Sequence, residues 1–80
     1  MEKKFIYVVS VTFADFGKCS VNSFIAGHSD SKDDAVSILK SEYECLLKEG
    51  YNIALFSHTR WGWKYISDDL VISGEINVLK

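Results

Sequence analysis

Four side chains of types that commonly bind metals or handle protons near neutral pH stand out: Cys19, Cys45, His28 and His58. A zinc site or an acid–base pair would need two or more of them together in space, with a carboxylate such as Asp30 completing the set. No Cys-x-x-Cys or His-x-x-x-His pair occurs, so no single turn of helix or short loop could present two ligands at once. The histidines read as isolated loop and strand-end residues. Ser, His and Asp are all present, but no Gly-x-Ser-x-Gly elbow accompanies them to set up a nucleophile. Gly17, Gly27, Gly50, Gly62 and Gly74 lie too far apart to cradle a phosphate from one loop, and each reads as the end of an element. Asp15-Phe16-Gly17 matches a kinase triplet by letters alone. The expectation is a protein that is not an enzyme, with no cofactor and no metal.

The chemistry that remains is that of contact. In Arg60-Trp61-Gly62-Trp63-Lys64-Tyr65, three aromatic residues recur at every second position. An extended strand would put Trp61, Trp63 and Tyr65 on one face and Arg60 and Lys64 on the other. Three readings of that face are open. The rings could pack against a helix through Leu39, Tyr43 and Leu46. They could form a protein-binding hot spot, since Trp, Tyr and Arg dominate interface energetics. They could also stack the bases of a single-stranded nucleic acid. The net charge of −2, from 9 basic and 11 acidic residues, lacks the dense positive field that phosphate binding requires and disfavours the third. Arg60, Trp61, Trp63, Lys64 and Tyr65 are therefore the candidate partner-binding residues.

The elements that must position them follow from periodicity. Phe5 to Ala14 alternates aromatic and β-branched residues and predicts a strand. Asp15 to Lys18 supplies a turn, and Cys19 to Ala26 alternates again, giving a β-hairpin. Ser31 followed by Asp34 resembles a capping box. Beyond it, Ala35, Ile38, Leu39, Tyr43, Leu46 and Leu47 recur at three- and four-residue spacing, with Lys40, Ser41, Glu44 and Lys48 on the opposite side. A helix over 32–49 follows, closed by Gly50. Tyr51 to His58 and Trp61 to Ile66 have strand composition, with a turn at Thr59 to Gly62; a competing register moves the turn to Ile66 to Asp69. Ser73-Gly74 predicts a further reversal between Leu70 to Ile72 and Ile76 to Leu79. The fold class is thus α+β, an antiparallel sheet of about four strands in the order ββαββ, with one helix on one face.

Eighty residues allow one domain, 1–80, with one modest core. Two cysteines 26 positions apart are too few for a disulfide scaffold and read as reduced thiols, one in a strand and one in a helix. Lys3-Lys4 before the apolar run Phe5 to Val11 raises the question of an export signal. The run contains Ser10 and ends at Asp15 without a small-x-small cleavage site, so a cytoplasmic location is expected. No stretch approaches membrane-spanning length. With 14% aromatic residues and one helix for cover, some rings should remain outside the core.

In its architecture, a hairpin over Phe5 to Ala26, a helix after Ser31 and a meander from Tyr51, the chain resembles the small phage-encoded inhibitors of host defence, anti-CRISPR proteins among them. Small antitoxin domains with a strand-strand-helix-strand order are similar too. The first resemblance implies a protein acting in the host cytoplasm by occlusion, binding a host protein complex such as a CRISPR–Cas effector and blocking a site on it. The alternatives are a single-stranded nucleic-acid-binding module and a homodimer that pairs strand edges through Ile76 to Leu79.

Overall fold

The computed structural model describes residues 5–79, so the Lys3-Lys4 pair lies outside the described residues. Two long antiparallel strands come first, β1 (Ile6–Asp15) and β2 (Ser20–Ser29), followed by α1 (Lys32–Lys48). A 3₁₀ turn over Ile53–Leu55 leads into β3 (Phe56–Thr59), β4 (Gly62–Ile66) and β5 (Leu70–Leu79). All five strands form one antiparallel sheet in the order β2-β1-β5-β4-β3. The chain therefore leaves the sheet at one edge, crosses it along α1 and re-enters at the other edge. The last strand then closes back onto the first.

The α+β class and single helix stand as the sequence predicts, with five strands rather than about four. Ser31 caps α1, its hydroxyl accepting from the Asp34 amide, and Gly50 after it adopts φ 101°, a left-handed value that side chains disfavour. Three expectations need correction. The stretch from Tyr51 starts not as strand but as the 3₁₀ turn, because the Asn52 side-chain oxygen accepts from the Ala54 amide at 2.9 Å and winds the chain there. Cys19, expected in a strand, sits in the β1–β2 turn at φ 52°.

The third correction is the most instructive. Ser73-Gly74 does not reverse the chain but lies inside the ten-residue strand β5, where Gly74 pairs with Val11 on one side and Trp63 on the other. The reversal falls earlier, between β4 and β5, where the Ser67 amide donates to the Leu70 carbonyl at 2.9 Å. Gly74 is small because the Trp63 indole occupies the volume of its missing side chain. A Cβ there would stand 2.5 Å from Cε2 and 2.6 Å from Cζ2 of that ring. Consequently Ile76 to Leu79 continues β5 and pairs with β1 through Leu79, while its pairing with β4 ends at Glu75; the outermost strands of the sheet are β2 and β3.

The alternation of β1 divides the sheet into two faces. Val9 and Val11 turn toward α1 and are fully buried with Ile72 of β5, beneath Ala35, Leu39 and Leu46 of the helix. Burying each such aliphatic side chain contributes roughly 1.5 to 3 kcal/mol. Around them Tyr43, Tyr51, Phe56, Trp63 and Tyr65 meet with ring centroids 5.0 to 6.3 Å apart. One helix covers one face, and no element lies over the other among the described residues.

Candidate binding surface

β4 positions the predicted contact residues, and its neighbours decide which of them are accessible. Trp63 lies opposite Gly74 and His58, and Tyr65 opposite Ile72 and Phe56, all on the helix side. Both are buried, at 5% and 8% exposure, and the Trp63 Nε1–H donates to the Leu39 carbonyl of α1 at 3.0 Å. Satisfying that polar hydrogen is what allows an indole to sit inside. Trp63 and Tyr65 are thus core residues and are not available for contact. The sequence reading in which these rings pack on Leu39, Tyr43 and Leu46 holds for them.

The other three predicted residues stay outside. Arg60 and Trp61 form the two-residue turn between β3 and β4, and Lys64 projects from the sheet face opposite to Trp63. The turn is fastened at both ends by Thr59, whose hydroxyl accepts from the Trp61 amide at 3.3 Å and donates to the Gly62 carbonyl at 3.5 Å. Trp61 remains 42% exposed. Its ring is flanked by the start of α1: the Lys32 Nζ lies 4.0 Å from the ring centroid, and the Arg60 guanidinium reaches Asp33 at 3.9 Å. A cation over an indole contributes about 0.5 to 1 kcal/mol at an exposed site, enough to favour one ring orientation. The predicted set is therefore divided by the fold. Arg60 and Trp61 form one exposed corner, Lys64 faces the uncovered side, and Trp63 with Tyr65 lies beneath α1.

Two hollows flank this corner. One, of about 310 Å³, lies between α1 and β3 and is lined by Val36, Leu39, Lys40, Tyr43, His58 and Arg60, among others. The second, of about 540 Å³, lies along the β4–β5 pair and is lined by Trp61, Gly62, Lys64, Ser73 and Glu75, among others.

The sequence reading puts the one helix on one face of the sheet and so leaves the other open, but it does not identify the residues that make up that open face. The strand register places Ile6, Val8, Ser10, Thr12 and Ala14 of β1 there, with Val71, Ser73, Glu75, Asn77 and Leu79 beside them on β5. Val21 and Ile25 extend it on β2, and Lys64 and Ile66 on β4. Ile25 is 67% exposed, Leu79 56% and Ile66 53%. Its ionisable groups among the described residues are Lys64, Glu75 and His28. A signal for this face was present in the sequence as Ile6, Val8, Val71 and Leu79. It becomes legible only once β5 is known to run unbroken through Gly74, because a turn at that point would separate Leu79 from Val71.

The residues first considered for catalysis do not converge. His28 is on the outer side of β2, and His58 lies beside Tyr43 with ring centroids 5.4 Å apart and the rings tilted by 57°. Cys19 and Cys45 are exposed free thiols, and no group of three or more His, Cys, Asp or Glu side chains among the described residues could hold a metal ion. Among the described residues, no helix is long and apolar enough to cross a membrane. Comparison with protein-family models, curated proteins and solved structures returns no match to this chain, so the function must be argued from this surface itself.

Proposed function

We propose that the protein is a non-enzymatic binding module that docks onto a host protein complex and occludes a site on it, in the manner of the small phage-encoded inhibitors its architecture resembles. The observation that carries this reading is the uncovered face of the sheet, on which Ile25, Ile66 and Leu79 are each more than half exposed beside a turn that presents Trp61. Scattered surface apolar residues are ordinary, but several on one sheet face next to a held indole have the composition of an interface. The face carries few charges, with Ser10, Thr12, Ser73 and Asn77 between its apolar residues, which suits a protein surface better than a phosphate backbone. A sheet face of this kind can block a larger complex by sitting on it, with no covalent bond made or broken.

The test is functional. The protein is expressed in bacteria with active CRISPR–Cas immunity, which are then challenged with a targeted phage. The reading expects plaques to return with the wild-type protein and to disappear again with Trp61→Ala, in a variant that remains folded at the assay temperature. Full immunity across the systems tested, with the wild-type protein folded and abundant, counts against inhibition.

A further inference from the structure

The two edges of the sheet differ sharply. β3 is four residues long and is followed directly by Arg60, and a short edge beside a charge is one of the devices by which proteins discourage strand addition. β2 has ten residues, Ser20–Ser29, with no proline and no Asp, Glu, Lys or Arg, in a chain where those four types make up 25% of positions. Its one irregularity is a bulge at Ala26, since Val9 pairs with Gly27 while Ser10 pairs with Ile25. Ser20 to Ile25 therefore forms a regular run of six residues whose outward amides and carbonyls have no strand neighbour.

We propose that β2 is a homodimerisation edge, pairing antiparallel with β2 of a second copy of this chain about a two-fold axis at Ser23. The sequence of the run is self-complementary in that register. Val21 comes opposite Ile25 of the second copy on the uncovered face, and both are now exposed at 69% and 67%. On the helix side Phe24, 46% exposed and stacked on Phe13 at 6.2 Å, comes opposite Asn22. Only a two-fold arrangement uses each apolar residue twice, which is the property of an isologous interface. The two five-stranded sheets would join into one ten-stranded sheet with a continuous uncovered face. This dimer is independent of what that face binds.

Light scattering and sedimentation equilibrium on the purified full chain are the test. The wild type is expected at twice 9.1 kDa at high concentration. Ser23→Lys, which sets like charges opposite each other at the two-fold, is expected to return it to a single mass. Ile66→Lys, on the same face but three strands away, should leave the dimer intact. A wild type that stays at single mass up to about 1 mM overturns the proposal. So does a dimer that survives Ser23→Lys, or one abolished only by Ile66→Lys, which would indicate stacking of faces. If Ser23→Lys fails to fold, hydrogen exchange on the wild type decides. Amides in Ser20 to Ile25 should gain protection as concentration rises, and no change there overturns the proposal.

Discussion

Replacing Gly74 by alanine should be among the more costly single-methyl changes in this protein, although the residue lies in mid-strand and looks replaceable by β propensity alone. The added Cβ would stand 2.5 to 2.8 Å from three atoms of the Trp63 indole, where carbon atoms normally approach to about 3.5 Å or more. The ring cannot simply withdraw. Its Nε1–H is bonded to the Leu39 carbonyl at 3.0 Å, and Phe56 and Tyr43 flank it at 6.0 and 6.3 Å between centroids. Overpacking of this kind costs about 1 to 3 kcal/mol, and a ring that shifts enough to lose Leu39 leaves a buried donor unpaired at about 1 to 3 kcal/mol. The stiffer unfolded chain returns up to about 1 kcal/mol. A net loss of about 2 kcal/mol lowers the melting temperature of an 80-residue domain by roughly 8 to 16 °C, measurable by calorimetry or circular dichroism. In a Trp63→Phe background, which lacks the clashing atoms, the same substitution should cost at least about 1 kcal/mol less. A Gly74→Ala protein that melts within about 2 °C of the wild type would refute the placement of the indole on Gly74.

Other perturbations separate core from surface. Trp63→Phe alone should lower stability by about 2 kcal/mol, from the lost Leu39 hydrogen bond and the space left behind, as read by denaturant unfolding. Gly50→Ala should cost about 1 kcal/mol through backbone strain at φ 101°, since nothing stands near the added methyl. Asp33→Ala should change stability by less than about 0.5 kcal/mol, because its ion pair with Arg60 is long and solvent-exposed. Ser31→Ala should destabilise by about 1 kcal/mol through loss of the cap on α1, with a matching fall in the midpoint of helix unfolding by circular dichroism.

Much of the fold was legible because local pattern and tertiary packing agree. The alternation of Phe5 to Ala14 and the three-four spacing from Ala35 to Leu47 each allow one amphipathic arrangement, and β1 and α1 adopt it. The failures occur where a residue's local meaning is overridden at a distance. Gly74 has a turn residue's identity, but its size is set by Trp63, eleven positions earlier in the chain and one strand away. Asn52 begins a 3₁₀ turn through its own side chain, a competition that β composition from Tyr51 onward does not reveal. The candidate site was half legible for a related reason. A run of alternating rings shows which side chains share a face but not whether α1 covers that face, and Trp61 escapes only because Arg60 and Trp61 make the turn.

The central functional claim is that contact is made by Trp61 and the uncovered side of the sheet, while Trp63 and Tyr65 serve the core. Calorimetric titration of the protein into a purified CRISPR–Cas effector, comparing Trp61→Ala and Ile66→Lys with the wild type, tests this most directly. The account predicts that each variant stays folded, Trp61→Ala losing no more than the roughly 1 kcal/mol of its Lys32 contact, and that Trp61→Ala binds about 30-fold more weakly, the equivalent of an anchor worth about 2 kcal/mol. Wild-type affinity in both variants would contradict it.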